Sequence, residues 1–380
     1  MDVARSAAPQ PPLGHDSTFK WLALIFGGLV LSFFGLIALG LVVGTTGVVG
    51  FLAGVILAAL PVPIYVSLWL WIDRFEPEPA WLLACAFFWG AIVASIGAIF
   101  LNSSGGIVVA VASHNTDIAE NFAAVLSAPL VEETLKGLFL LLLVLWRRQD
   151  FDGIIDGIVY AGMVGLGFAM TENVLYYGRE AGQQEQGNVL AVLFLRGVLS
   201  PFLHPWLTSM TGIGFGVARE TRLAPLKYAA PLFGWILAIL LHLIWNLSGT
   251  VSSALFFGMY VLFAVPVFLC TLGVVLFALM REGRMIRRNL KPELDDGTLT
   301  LDELRRMGSV TGRLSASLGA FLSGGFQAWN TRRKFVEAAT TLAFHRDRMD
   351  AGTVARDDSA RDFEENLRQW VFYWGRKLRR

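Results

Sequence analysis

Eight apolar runs of bilayer length dominate the chain, at about 21–43, 48–72, 80–101, 120–146, 154–178, 190–217, 229–249 and 254–280. A helix crosses the hydrocarbon core with about 20 residues at 1.5 Å each, and each run meets that length. Inside lipid every backbone N–H and C=O must find a partner within the protein, which a helix provides. The expected fold is therefore all-α: a polytopic membrane protein of about eight transmembrane helices. Composition agrees, because a chain 55% hydrophobic and only 16% charged carries more apolar surface than a soluble domain hides.

Residues 1–20 are polar and contain proline, without the short apolar core and cleavage site of a signal peptide. They read as a cytosolic N-terminal arm before a retained first helix. The expected domains are thus 1–20, a transmembrane domain over 21–280, and a charged cytosolic tail over 281–380. Basic residues set the orientation. With the N-terminus inside, the inner loops hold Arg74, Arg147, Arg148, Arg219, Arg222 and Lys227, while 44–47, 102–119 and 250–253 hold none. Both termini are expected in the cytosol of a multi-pass cell-membrane protein.

Of 31 Lys and Arg, 20 follow residue 280. In the tail, "DFEENLRQWVFYWGRKLRR" sets Phe363, Leu367, Trp370, Val371, Trp374 and Leu378 on one helical face. That face suits either the anionic inner leaflet or the core of a small helical bundle that meets a partner. "GRLSASLGAFLSGGFQAW" (312–329) is a weaker amphipathic stretch, interrupted at Gly324–Gly325. Cys85 and Cys270 lie in apolar runs and read as buried packing residues rather than a disulfide. No nucleic-acid partner is expected.

The polar residues inside the runs concentrate in helices four to seven. "SAPLVEETLKGLFLLLLVLW" holds Glu132, Glu133 and Lys136, and "GFAMTENVLYYG" holds Glu172 and Asn173. "HPWLTSMTGIGFG" holds His204, Thr208 and Thr211, and "HLIWN" holds His242 and Asn246. A charge at the bilayer centre costs at least about 2.5–3.5 kcal/mol, so such a set needs mutual partners and marks a functional chamber. Lys136 lies i+4 from Glu132 and i+3 from Glu133 and can reach either. Pro201 and Pro205 make a regular helix around His204 improbable and suggest a broken one that widens the chamber. "DRFEPEP" (73–79) reads as a rigid inner turn rather than a catalytic loop.

Three functions fit a chamber of this kind. A hydrolase could use a glutamate as base on water, with His and Asn stabilising an oxyanion. A metallohydrolase could hold Zn²⁺ on two histidines and a glutamate, with Glu172, His204 and His242 as the candidate set. An ion-coupled transporter could use the same carboxylates. The chain lacks HExxH, GxSxG and an intramembrane aspartate pair.

"DRFEPEP", "EETLK", "GFAMTEN", "HPWLTSMTGIGFG" and "HLIWN", in this order over about residues 70–250, resemble the PrsW family of intramembrane proteases. That family is similar to the group of CAAX-prenyl proteases and bacteriocin-immunity-type membrane proteins. The resemblance implies a peptidase that cuts a single-pass membrane protein within the bilayer, an anti-sigma factor in the founding case. It implies catalytic roles for Glu132, Glu133, Glu172, His204, His242 and Asn246, supported by Lys136, Asn173 and Thr208. The family is classed as metalloproteases, whereas the related CAAX enzymes resemble metal-free glutamate and histidine hydrolases. The alternative is a non-proteolytic polytopic protein, a transporter or immunity-type scaffold, with a receptor or scaffold as a third reading.

Overall fold

The computed structural model describes residues 17–182, 188–352 and 354–379; the arm expected over 1–20 lies outside it up to residue 16. Helices are the only regular structure among the described residues. They fall into two compact units, one of residues 18–73 and 77–272, the other of Arg74–Glu76 with 273–379.

The first unit contains α1 (Ser17–Ala59), α2 (Val62–Ile72), α3 (Ala80–Phe88), α4 (Ser95–Ser113), α5 (Thr116–Phe122), α6 (Ala128–Trp146), α7 (Ile154–Gly182), α8 (Val189–Phe194), α9 (Leu203–Glu220), α10 (Ala224–Val251) and α11 (Ser253–Met259). It ends within α12 (Val265–Asn289). By length and composition, six helical stretches among the described residues can cross a membrane: Gly35–Ile72, Ala80–Ser113, Ile154–Gly182, Val189–Glu220, Ala224–Val251 and Ser253–Asn289. The stretch Gly35–Ile72 holds parts of the first and second apolar runs, on either side of a break in α1 at Gly47 (φ 68°). The fourth run, with Glu132, Glu133 and Lys136 in α6, is too charged to count among the six.

Helix α7 is the centre of this unit. Within its most apolar window 83% of residues are buried, against 17–44% in the other spans. Glycine makes that position accessible. A Cβ on Gly157 would lie 2.1 Å from the Gly212 carbonyl oxygen of α9, and one on Gly165 would lie 2.6 Å from the Pro205 backbone. Lipid offers no hydrophobic drive between helices, so such close backbone approach supplies the dispersion contacts that hold them.

Among the described residues four π-helical turns interrupt the helices, at Trp89–Ala94, Ala123–Ser127, Leu195–Leu199 and Tyr260–Ala264. A π turn leaves a carbonyl without its usual helical partner, and side chains fill in at three of them. Ser95 donates to the Gly90 carbonyl, Asn246 to Ala124 and Ser200 to Leu195. Trp89 and Trp235 clamp α6 from two sides, donating to the Leu135 carbonyl at 3.0 Å and the Thr134 hydroxyl at 3.2 Å.

The turn after α2 is held by polar contacts. Asp73 accepts from the Glu78 N–H at 2.7 Å, and Tyr160 donates to Glu78 at 2.6 Å. Burial pushes the Asp73 carboxyl up to about 7. Cys85 is half-buried and Cys270 exposed, correcting the expectation that both are buried. The reason is that Cys270 lies on an outward face of α12, flanked by the exposed Leu269 and Leu272.

The second unit comprises the last part of α12, α13 (Lys291–Asp295), α14 (Leu301–Met307), α15 (Val310–Ala351) and α16 (Asp358–Leu378), with Arg74–Glu76. The apolar face of α16 turns inward, burying Leu367, Val371 and Trp374 against the second half of α15, where Phe335, Ala339 and Leu342 are buried. Of the two expectations for that face, the bundle holds. Glu293 is buried and receives both Arg346 (2.7 and 2.8 Å) and Arg368 (3.3 Å).

Two outcomes follow. Gly212→Val should abolish a monodisperse folded peak in size-exclusion chromatography, while Gly258→Ala, with open space around it, should leave the peak unchanged. Asp73 has a folded pKa above the unfolded value of about 3.9, so the fold loses stability as pH rises from about 4 to 7. Asp73→Asn removes that loss and should raise the melting temperature at pH 8 by at least about 2 °C, with little change at pH 5.

Candidate active site

The sequence around α6 dictates a conflict that tertiary packing resolves. Glu132, Glu133 and Lys136 fall on successive turns of an otherwise apolar helix, all three buried. The Lys136 ammonium donates to Glu133 at 2.9 Å, lies 3.5 Å from Glu132, and donates to His204 Nδ1 at 3.0 Å. It also sits over the Phe168 ring, 3.8 Å from its centroid. One cation thus ties α6 to both α7 and α9.

The two glutamates differ. Glu133 is fully buried and saturated: Oε1 accepts from Lys136 and from His242 Nδ1 at 3.1 Å, and Oε2 accepts from the Thr208 hydroxyl at 3.0 Å. Glu132 keeps a sliver of exposure and has the looser contact with Lys136. Glu133 therefore orients its neighbours, and Glu132 has an oxygen left for another partner.

The histidines are arranged by these bonds. His204 Nδ1 accepts from Lys136, so its Nε2–H donates to Glu172 at 2.7 Å. His242 donates through Nδ1 to Glu133, which leaves the Nε2 lone pair for a ligand or a proton. The rings stand edge to face with centroids 5.4 Å apart. Their place in the chain follows from the helix break: α8 ends in the π turn Leu195–Leu199, Ser200–Phe202 are not helical, and His204 opens α9. The break expected from Pro201 and Pro205 is present.

Sequence reasoning missed Arg196. Its guanidinium pairs with Glu172, donates to Asn173 Oδ1 at 2.7 Å and stacks 4.1 Å over Tyr176. A lone arginine in "VLAVLFLRGVLSPFLHP" needs an acidic partner as much as Glu132 does, and that signal was readable. Tyr65 and Tyr260 secure the segment bearing it through the carbonyls of Gly197 and Leu199.

The structure brings Glu132, Glu133, Lys136, Glu172, Asn173, His204, Thr208 and His242 into one connected network. Asn246 is set apart: its amide donates to the Ala124 carbonyl at 2.8 Å, before α6. Thr211 is buried on α9 beside Gly137 of α6. A cavity of about 70 Å³ borders the network, lined by Asn173, Arg196, Ser200, Pro201 and His204 among others. It has room for water.

One acidic and two imidazole donors approach closely enough to share an ion. Ligand atoms of Glu132, His204 and His242 lie within 4.8 Å of one another. Two imidazoles with a carboxylate are the donor set of catalytic zinc; His242 Nε2 is free to ligate, whereas His204 Nδ1 would do so only with Lys136 displaced from it. Charge balance agrees with a cation there, because three glutamates against Lys136 and Arg196 leave one net negative charge when the histidines are neutral. The set differs from the one expected: Glu132 takes the place of Glu172, because Glu172 is engaged by Arg196 and His204.

Against this geometry stand the relationships of the chain. The profile of the PrsW family intramembrane metalloprotease matches residues 78–271, half of the chain and all of the network. The chain belongs to the PrsW family. Protease PrsW of Bacillus subtilis (strain 168) is 29% identical over 147 residues, 39% of this chain and 60% of that protein. Protease PrsW of Oceanobacillus iheyensis is 30% identical over 169 residues, 44% of this chain and 70% of that protein. Protease PrsW of Geobacillus kaustophilus is 29% identical over 150 residues, 39% and 58% of the two chains. The match with the Bacillus protein thus spans about three fifths of its length. No solved structure matches the chain.

Removing Lys136 should test the network as a unit. Lys136→Met removes the cation shared by two buried carboxylates and should cost about 3–5 kcal/mol of unfolding free energy. Lys136→Met combined with Glu133→Gln should recover part of that loss, a coupling visible in a double-mutant cycle of unfolding midpoints in detergent.

Proposed function

We propose that the chain is an intramembrane peptidase that hydrolyses the membrane segment of a single-pass protein. The observation that carries this reading is the contrast between Glu133, saturated by three donors, and Glu132, free to face two imidazoles and water. Peptide hydrolysis needs a group that takes a proton from water and groups that steady the tetrahedral intermediate. Glu132 holds the attacking water and accepts its proton. Glu133 fixes the His242 ring through Nδ1 so that Nε2 points away from it, whereas Glu172 holds His204 through Nε2 and leaves Nδ1 toward Lys136. Arg196 holds Glu172 and acts as a positioning residue.

With the metal ion of the family bound, Glu132, His204 and His242 would be its ligands. Glu132 would then no longer be the base, and His204 Nδ1 would have to exchange Lys136 for the ion. Bound there, the ion would supply the Lewis acidity that lowers the pKa of its water. Water reaches the site through the small cavity beside His204, at the break between α8 and α9. The basic loops support an orientation with both termini in the cytosol. Under that orientation the cavity faces the outer half of the membrane.

Cleavage by the full-length protein, reconstituted with a panel of single-pass substrates, tests the reading. Glu132→Gln should lower cleavage by about 10²–10⁴-fold, the usual worth of a general base, with an unchanged melting temperature. Glu133→Gln should lower both cleavage and melting temperature, because it breaks the orienting bonds. Equal cleavage by wild type and Glu132→Gln would remove Glu132 from the mechanism. Elemental analysis of the active protein should find one metal ion per chain, lost in His242→Ala; active protein without metal would leave the water to Glu132 alone.

A further inference from the structure

Between Arg313 and Arg332 the tail holds "LSASLGAFLSGGFQAWN" (314–330), a run without a single Asp, Glu, Lys or Arg. It belongs to α15 but does not form one straight rod. At 1.5 Å per residue, a straight helix would separate Arg313 from Arg332 by about 28 Å. Both ends instead lie near α14. A Cβ on Gly312 would lie 2.9 Å from Arg306 Cα, and Arg332 is within electrostatic reach of Arg306 and of Arg313 itself. The reversal occurs at Gly324 (φ −139°, ψ 15°) and Gly325 (φ 64°, ψ −158°). The second is a conformation that only glycine adopts readily. Residues 314–330 are therefore a helical hairpin.

Its tip is bare. Every residue from Phe321 to Gln327 is exposed, and Leu314, Leu318, Phe321, Leu322 and Phe326 expose 62, 55, 50, 75 and 68% of their surfaces. Elsewhere in the tail the apolar face of α16 is packed inward, with Leu367, Val371 and Trp374 buried. Five bulky apolar side chains on an uncharged hairpin call for an apolar partner.

The surroundings of its base identify that partner as lipid. A Cβ on Gly283 of α12 would lie 2.4 Å from the Gly308 carbonyl oxygen, and Arg313 is within electrostatic reach of Glu282. The base thus sits where the last span changes from apolar to basic. Before that level α12 exposes Leu276, Phe277 and Met280; after it come Arg284, Arg287 and Arg288. At the hairpin's neck, Trp329 packs against Phe326 with centroids 5.4 Å apart, and the exposed Arg333 lies 5.7 Å over the Trp329 ring. Tryptophan and arginine at the neck of an apolar projection are the interfacial arrangement of membrane proteins.

We propose that hairpin 314–330 dips its tip into the lipid leaflet next to the cytosolic end of α12 and anchors the tail there. The longer arm, residues 314–323, reaches about 15 Å, roughly the hydrocarbon depth of one leaflet. The backbone of both arms is satisfied by helical hydrogen bonds, as lipid requires. The proposal is independent of the peptidase reading.

The test uses the full chain in nanodiscs of phosphatidylcholine and phosphatidylglycerol, with Cys85 and Cys270 replaced by serine. Leu322→Cys and, separately, Phe326→Cys carry an environment-sensitive fluorophore, and Asp358→Cys, 97% exposed in the same unit, is the aqueous control. The tip labels should shift to the blue, be quenched by lipids spin-labelled on the acyl chain, and resist aqueous iodide several-fold better than the control. Iodide quenching equal to the control would overturn the proposal. A blue shift without lipid quenching would also overturn it, because the tip would then be covered by protein.

Discussion

The Lys136 ammonium is shared among Glu132, Glu133 and His204, and the polar interior of the membrane unit is organised around it. Three carboxylates at membrane depth are tolerable only if cations and hydrogen-bond donors replace the water they have lost. Lys136 does this for the α6 pair and Arg196 for Glu172. His204 bridges the two groups, accepting from Lys136 and donating to Glu172. The α6–α7–α9–α10 chamber is thus one electrostatic unit, and a change at any member reaches the rest.

That unit needs a backbone that lets four helices converge. The glycines of α7 allow α9 to approach within direct backbone contact at Gly157–Gly212 and Gly165–Pro205. The π turns and the break at Ser200–Phe202 then rotate functional side chains inward. Arg196 lies on one such turn and His204 just beyond the break. Regular helices through these segments would place the same residues a fraction of a turn away. The freed carbonyls are capped by Ser95, Ser200 and Asn246, so the irregularities cost little hydrogen bonding.

Asn246 and Arg196 show where reading from sequence meets its limit. Asn246 shares a helical face with His242, and spacing alone enrols it in the site; its amide instead secures the turn before α6. Arg196 stands eight residues before His204 with no motif around it, yet it is the counter-ion of Glu172. Both outcomes depend on what a neighbouring helix presents at that height. The tail repeats the lesson. The strongly amphipathic α16 buries its apolar face in a bundle, while the weaker stretch before Trp329 folds back and exposes its leucines and phenylalanines.

The sequence by itself determined that this chain is an all-helical membrane protein, because runs of bilayer length can satisfy their backbone only internally. It also determined which four helices carry the buried ionisable groups, because ionisable residues in apolar runs are costly and their positions are plain to read. Family membership lay in the same motifs. Only the tertiary structure decided that Glu133 is saturated while Glu132 has only a loose contact with Lys136, that Glu132 rather than Glu172 lies with the two histidines, and that Arg196 completes the network. Adjacent glutamates on one helix are equivalent in composition and nearly so in depth. What separates them is the angle of about 100° between successive residues and the groups that α9 and α10 bring to each side, and neither is written in local sequence.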